Sequence, residues 1–177
     1  LVEAYKAKGY EVLVMDDRID EIVIPNIGKY KEYDLVSVNR KGSAEELKDE
    51  KAEEKAEAIK PLLEKIKEVL GDSVKSVIAS SRLSDSPSCI VADENDPTIQ
   101  MQAILRSIGQ QDAEFAPVLE INPDHEIVKR LAATEESQTI EDISFILLDE
   151  AKLAEGAPIQ DPAAFIKRVN RLAEKAL

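Results

Sequence analysis

The last third of the chain carries two helical patterns of apolar residues. Between residues 140 and 154, one apolar stripe recurs at helical spacing: Ile140, Ile143, Leu147 and Ala151. Further apolar side chains lie on other sides of the same helix: Ile146, Leu148 and Leu153. Such a helix is usually buried on more than one side. Residues 161–177 begin with Asp161 and Pro162, which predict an N-cap and a first-turn proline. One stripe then runs along this second helix, formed by Phe165, Ile166, Val169, Leu172, Ala173 and Ala176.

The turn at residues 155–158 contains a glycine and a proline and joins these two helices into an antiparallel pair. Two copies of such a pair would form a four-helix bundle. The two stripes hold more apolar surface than one small domain can hide, so the pattern favours self-association. The alternative is that both stripes pack on their own domain.

The middle of the chain predicts three strands and two helices. Residues 74–83 and 88–91 have strand patterns, and residues 84–87 between them have the composition of a hairpin-like turn. A short amphipathic helix follows over 97–108, with Met101, Ile104, Leu105 and Ile108 together. A third strand, residues 117–121, runs into Asn122-Pro-Asp, which predicts a helix to about Ala133.

The first third predicts a small α/β unit followed by a long helix. A helix ends at Gly9, strands cover 10–15 and 35–39, and a short helix or turn covers 17–24, an order that suggests a mostly parallel sheet. The long helix covers 43–70, with Ser43 and Glu46 as a capping box. Its first half is charged, and its second half has a face for packing: Ile59, Leu62, Leu63, Ile66, Val69 and Leu70. Pro61 predicts either a kink or the point at which the packed part begins.

Composition narrows the class of partner. The 177 residues carry a net charge of −13, which argues against a nucleic-acid surface because phosphate binding needs clustered lysine and arginine. One cysteine excludes an internal disulfide framework and fits a reducing compartment. No apolar run is long enough for a membrane helix, and no signal-peptide pattern opens the chain. The sequence begins at Leu1 inside a helical pattern, so we expect a fragment of a longer protein.

The residues that carry enzyme chemistry are sparse. The six glycines are scattered and form no phosphate-binding loop. His125 is the single histidine, and its place in the first turn of a helix favours a capping or surface role over catalysis. Cys89 lies in an alternating strand and is expected to be a buried, inert thiol. We therefore predict no catalytic, cofactor-binding or metal-binding residue in this chain and no enzyme activity of its own.

Four motifs, in order and spacing, resemble the C-terminal dimerisation domain of the heat-shock protein 90 chaperones. They are residues 81–87 (SRLSDSP) with 89–91 (CIV), the helix around Gln100-Met101, residues 119–125 (LEINPDH), and Asp161-Pro162 before a final helix. The opening residues 7–13 (AKGYEVL), with Asp20-Glu21 and residues 35–38 (LVSV), are similar to the last part of that family's middle domain. The chain is most similar to the bacterial form. The resemblance implies that residues 1–42 end the middle domain, 43–58 are a connecting helix, and 59–177 are the dimerisation domain.

The resemblance also implies function. Members of this family are homodimers that bind unfolded or partly folded client proteins, and they bind ATP and Mg²⁺ through domains upstream of the part covered here. The resemblance to the bacterial form implies a cytoplasmic protein. We expect Ile143, Leu147, Ile166, Val169 and Leu172 at or next to the dimer interface. Met101, Ile104 and Leu105 match positions that contact clients, although Pro97 stands where a methionine is common. The alternative for this helix is that its apolar residues simply pack on the strands.

The fold class expected from all of this is α+β: a small α/β unit, a long connecting helix, then a three-stranded sheet with helices and a C-terminal helix pair that forms a four-helix-bundle dimer. Two other functions remain as alternatives. One is a stand-alone oligomeric scaffold whose acidic surface binds a basic partner protein. The other is a metal- or nucleotide-dependent enzyme domain, which needs ligands that the sequence does not offer.

Overall fold

The computed structural model describes residues 2–43, 47, 50–110 and 115–177. It has an α+β fold, as the sequence predicts. In chain order the elements are α1 (Val2–Ala7), α2 (Asp20–Ile27), β1 (Lys29–Tyr30), β2 (Tyr33–Asp34), α3 (Glu50–Leu70), β3 (Ser76–Ala79), β4 (Ser88–Val91), α4 (Ile99–Ser107), β5 (Val118–Ile121), α5 (Glu126–Ala132), α6 (Ser137–Ala154) and α7 (Pro162–Ala176).

The main sheet has three strands in the order β3-β5-β4. β5 runs parallel to β3 and antiparallel to β4. The predicted hairpin between β3 and β4 is therefore wrong, because β5 lies between them. The loop that joins them is held by Asn122 at the end of β5, whose side-chain amide donates to the carbonyl oxygens of Ser84 and Ser86, each at 3.1 Å.

The main core lies between the sheet and helices α3, α5 and α6. α3 contributes the face that its sequence predicts, with Ile59, Leu62, Leu63, Ile66 and Leu70 buried. The sheet, α5 and α6 contribute the rest, chiefly Ile90, Leu119, Ile121, Val128, Leu131, Leu147 and Leu148. α3 continues through Pro61 without a break. Pro61 is exposed, so the backbone hydrogen bond that a proline cannot donate is missing on the solvent side of the helix.

The long helix begins later than predicted. Ser43, the expected cap, lies in a turn, and α3 begins at Glu50 among the described residues. The hydroxyl of Ser43 donates to the carbonyl oxygen of Arg40 at 2.7 Å and accepts from Arg82 at 2.8 Å, so it is occupied by tertiary contacts. Glu46, the other half of the predicted capping box, lies outside the described residues.

The N-terminal unit, residues 2–43, departs most from its prediction. α1 and α2 form, and Gly9 adopts the positive φ of 84° expected after a helix end. Residues 10–15 and 35–39 are not strands, so the predicted parallel sheet is wrong. The two segments do not pair with each other, and apolar residues such as Leu13 and Val14 are exposed. The strands of this unit are instead the short antiparallel pair β1 and β2.

Candidate interaction surfaces

Helix α4 is positioned by a threonine cap that reaches a second helix. The hydroxyl oxygen of Thr98 accepts from the backbone N–H of Met101 at 3.1 Å, which satisfies a first-turn donor. The same hydroxyl donates to the carboxylate of Glu21 in α2 at 2.6 Å. Thr98 is buried, so α4 begins at a fixed place beside α2. The predicted start at Pro97 is thus shifted to Ile99.

The side of α4 that faces the protein makes one apolar and one polar contact, since Ile99 packs against the main core and Gln102 is buried. Gln102 is its buried residue; its side-chain amide donates to the carbonyl oxygen of Pro97 at 3.1 Å and accepts from the backbone N–H of Phe115 at 3.4 Å. Met101, Ile104 and Leu105 are half-buried and belong to none of the apolar clusters of the described residues. We call these three residues the α4 surface.

Helices α6 and α7 form the antiparallel pair that the sequence predicts. Asp161 caps α7 by accepting from the backbone N–H of Ala164 at 2.9 Å. Arg171 reaches back to the buried carboxylate of Asp142 at 3.1 Å. Lys175 pairs with Glu136, and its hydrogen bond lowers the pKa of that carboxyl. These two ion pairs attach α7 to α6 and to the residue before it.

A cation–π contact completes the attachment of α7. The guanidinium carbon of Arg168 lies 4.1 Å from the centre of the Phe145 ring in α6. Two ion pairs and this cation–π contact thus attach α7 to α6 and to Glu136 beside it. α7 has no buried residue at all, although its sequence has a pronounced apolar stripe.

The predicted interface residues divide into two groups. Ile166 and Val169 keep 57% and 40% of their surface exposed, and Leu172 and Ile143 are half-buried. We call Ile166, Val169 and Leu172 the α7 surface. Leu147 is 1% exposed, lies in the main core and accepts a hydrogen bond from Ser88 through its backbone oxygen. It therefore offers no free surface to another chain.

The residues with potential enzyme chemistry have structural contacts. His125 caps α5, since its Nδ1 accepts from the backbone N–H of Ile127 at 3.2 Å. Cys89 is buried, and burial with the nearby charge of Glu120 raises the pKa of its thiol to about 12. Within the described ranges, no group of three or more His, Cys, Asp or Glu side chains is arranged to hold a metal ion. A cavity beside α4, lined in part by Pro97, Gln102 and Phe115, holds about 10 Å³, room for a single water.

A buried ion pair is the feature that the sequence reasoning missed. Arg82 and Glu120 are both buried; Arg82 Nε donates to one carboxylate oxygen at 2.9 Å and its Nη2 to the other. Ser80 donates to the same carboxylate at 2.9 Å. Burial acts to lower the pKa of Arg82, but its hydrogen bonds and the charge of Glu120 outweigh this and raise it. A signal was present, because Glu120 interrupts an otherwise apolar strand between Leu119 and Ile121.

None of the helices in the described part of the chain combines the length and apolar character required to cross a membrane. Residues 1–177 match the profile of the family described as "Hsp90 protein". The chaperone protein HtpG of Treponema denticola is 50% identical over 176 residues, which cover 97% of this chain and 28% of that protein. The HtpG proteins of Sulfurovum sp. and Burkholderia ambifaria are each 47% identical, over 100% and 97% of this chain and 29% and 27% of their own lengths. The chain thus spans less than a third of these relatives, and it belongs to the Hsp90 family.

Proposed function

We propose that this chain is the C-terminal part of an ATP-dependent molecular chaperone. In that protein it provides constitutive homodimerisation and part of the surface that binds unfolded clients. Family membership supports the chaperone function, and the uncovered α7 surface is the observation that carries the dimerisation. In this proposal residues 1–42 end the middle domain, 43–58 connect, and 59–177 form the dimerisation domain.

The α7 surface has the properties of a helix that packs against a second chain. Ile166 and Val169 lie one turn apart and are exposed, whereas surface helices of monomers usually bury such a stripe. The ion pair between Arg171 and Asp142 already fixes α7 on α6, so little conformational freedom is lost when a partner covers the stripe. A second copy of the α6–α7 pair is the occupant we propose, which gives a four-helix bundle with Ile143 at its edge.

A permanent dimer has a mechanical consequence for the full-length protein. Two upstream arms joined through this bundle meet at a high effective concentration, so closure between them becomes an intramolecular event. The dimer therefore keeps the two arms joined throughout, while ATP is bound and hydrolysed in other parts of the full-length protein.

The test is the mass of the chain by light scattering after size exclusion, with and without residues 161–177. A dimer that becomes a monomer on truncation supports the proposal. An intact chain that is monomeric at micromolar concentration refutes the dimerisation while leaving the family membership untouched.

The α4 surface is proposed as a client contact. Met101, Ile104 and Leu105 are half-buried, so part of each side chain is open to solvent, and a flexible methionine suits contact with varied apolar segments. The double variant Met101→Ser with Leu105→Ser should weaken binding of a fluorescent, permanently unfolded protein about tenfold, as expected for about 1.4 kcal/mol of lost apolar contact. Ile127→Ser is the matched control, since Ile127 is an exposed apolar residue of α5. Equal affinity of the double variant and the control would refute the contact.

The acidic composition supports a second candidate, a scaffold that binds a basic partner protein. The two proposals differ in their response to salt. Raising the ionic strength from about 0.01 M to 1 M shortens the screening length from about 30 Å to 3 Å and would abolish binding to a basic partner. Binding that persists in high salt and prefers unfolded over folded proteins supports the chaperone.

We expect ATP and Mg²⁺ to bind to parts of the full-length protein outside residues 1–177, and we place that protein in the cytoplasm. The residues of this chain do not fit a nucleotide, because its six glycines form no phosphate-binding loop. Titration calorimetry of the chain with ATP and Mg²⁺ should give no binding heat. A measurable affinity, or hydrolysis by this chain alone, would contradict the assignment.

A further inference from the structure

The side of α7 that faces away from α6 carries one amide side chain among apolar ones. α7 is attached to α6 through Arg168 and Arg171. Helical spacing puts Ile166, Asn170 and Ala173 on the opposite side, and all three are exposed. Asn170 lies four residues after Ile166 and three before Ala173, so the three side chains are neighbours on the helix surface. A second chain that covers Ile166 therefore also reaches Asn170.

The Asn170 side chain has hydrogen-bonding groups that the single chain does not use. Its amide offers two N–H donors and a carbonyl acceptor. Among the described residues none forms a hydrogen bond with it, and its exposure leaves these groups to water. An amide that loses its water in an interface and gains no partner weakens the association. The chain that covers α7 must therefore offer Asn170 a polar group.

An asparagine can supply that group to another asparagine. The N–H of one amide can donate to the carbonyl oxygen of the other, whereas two lysines or two glutamates repel each other. In a two-fold symmetric dimer the same patch of both chains forms the interface, so a residue near the axis meets its own counterpart. The exposed charges beside the stripe, Lys167 and Glu174, do not complement themselves and fit the solvated rim of an interface.

We propose that Asn170 lies near the two-fold axis of the dimer and pairs with the partner's Asn170, which fixes the alignment of the two α7 helices. This inference rests on the proposed function, because it requires that the α7 surface binds a second copy. Apolar contacts are non-directional, so the α7 surface alone tolerates sliding of one helix along the other. A buried amide pair is satisfied in one register only, as with a single asparagine in the seam of a coiled coil. Asn170 is thus a specificity-determining residue of the interface.

The test of the pairing uses opposite charges at position 170 of the whole chain. Asn170→Asp and Asn170→Lys each bring like charges together in a homodimer, so each variant alone should have a dimer Kd raised about 100-fold or more. In an equal mixture the two charges attract, and the mixed dimer should have a Kd within about tenfold of the parent value. Position 170 is exposed in the single chain, so both variants should fold normally.

The dimers are distinguished by mass. A tag of different size on each variant separates the two homodimers from the mixed dimer in native mass spectrometry, and sedimentation equilibrium gives the Kd values. The matched control is the same pair of substitutions at Asn26, an exposed asparagine of α2. Asn26→Asp and Asn26→Lys should keep the Kd of the parent and should assort at random.

The alignment of the helices is measured with one spin label per chain, on Glu174→Cys at an exposed position of α7. Cys89 remains in place, because its thiol is buried and stays unlabelled. The distance between the two labels of a dimer should form one narrow population. Asn170→Leu keeps an apolar contact but removes the amide pair, so it should broaden or split this population about twofold or more.

Three results would overturn the pairing while leaving the dimer intact. In the first, Asn170→Asp or Asn170→Lys dimerises with the Kd of the parent. In the second, the mixture associates no more tightly than the separate variants. In the third, Asn170→Leu gives the narrow distance population of the parent. A parent chain that is monomeric at micromolar concentration is a separate outcome, because it refutes the proposed dimerisation and this inference together.

Discussion

Replacing Ile166 by aspartate separates self-association from folding. Ile166 is 57% exposed in the single chain, and α7 buries none of its residues. An aspartate at such a position meets water in the monomer, so the free energy of unfolding should change by no more than about 0.5 kcal/mol. In the proposed dimer the same position lies against a second copy, where a carboxylate loses its water. The substitution should therefore act on the dimer alone.

The size of the effect follows from the exposed area. Full burial of an isoleucine side chain contributes about 1.5–3 kcal/mol, so covering roughly the remaining half contributes about 1–1.5 kcal/mol per copy and about 2–3 kcal/mol in a symmetric dimer. Desolvation of two unpaired carboxylates adds several kcal/mol more. Since about 1.4 kcal/mol changes a dissociation constant tenfold, Ile166→Asp should raise the Kd of the dimer about 100-fold or more.

Sedimentation equilibrium over a range of concentrations measures this Kd, and thermal unfolding of the same samples reports on the fold. Ile127→Asp is the matched control, because Ile127 in α5 is 41% exposed and lies on another helix. It should leave the Kd unchanged. An Ile166→Asp chain with the Kd of the parent would remove Ile166 from the interface and refute the reasoning from its exposure.

Three further predictions concern single residues. Thr98→Ala removes the cap of α4 and should cost about 1 kcal/mol, seen as faster hydrogen exchange at the first-turn amides, whereas Ser107→Ala at the other end should have little effect. Cys89 should react with a thiol reagent at pH 8 only after denaturation, because burial raises the pKa of its thiol to about 12; rapid reaction of the folded chain would contradict this. Burial raises the pKa of Asp149, so the folded chain binds this proton more tightly than the unfolded chain, and its ionisation lowers stability as the pH rises through the folded pKa. Asp149→Asn should therefore raise the Tm at pH 7. The gain should shrink as the pH falls through the raised folded pKa and should be absent below about 4, where an unfolded aspartate is protonated as well.

The elements with local signals were predictable from the sequence. α7 begins where Asp161 and Pro162 indicate, and α5 begins after His125, because a cap and its first turn are neighbours in the chain. The β3–β4 hairpin failed for the opposite reason. The turn signal at residues 84–87 is genuine, but whether a third strand inserts depends on β5, which follows much later.

The same distinction explains the errors in the N-terminal unit and in the long helix. Residues 10–15 have the composition of a strand, but a strand also needs a neighbour, and the structure gives them none. Ser43 has the chemistry of a helix cap, but its hydroxyl binds Arg82, which is 39 residues away. Long-range polar partners of this kind leave no periodic trace in a sequence.

For the candidate surfaces, the sequence predicts which residues share a helix, but it does not predict which side chains are buried. The helical spacing of Met101, Ile104 and Leu105 correctly places them together on α4. That the helix turns Gln102 inward depends on Phe115, whose backbone N–H bonds the Gln102 side chain across the intervening residues. The apolar stripe on α7 was likewise visible in the sequence. Its exposure was not, because it depends on which side of α7 packs against α6.

The central position of β5 sets the order in which the newly made chain can fold. β5 is the last of the three strands in sequence, so β3 and β4 have no partner in the main sheet until residues 118–121 have been synthesised. At about 5–20 residues per second, the roughly 30 residues from the end of β4 to the end of β5 take on the order of 2–6 s. During that interval two apolar strands leave the ribosome with open edges, which favours aggregation. A ribosome that stalls between residues 91 and 118 would release a product that cannot complete its sheet.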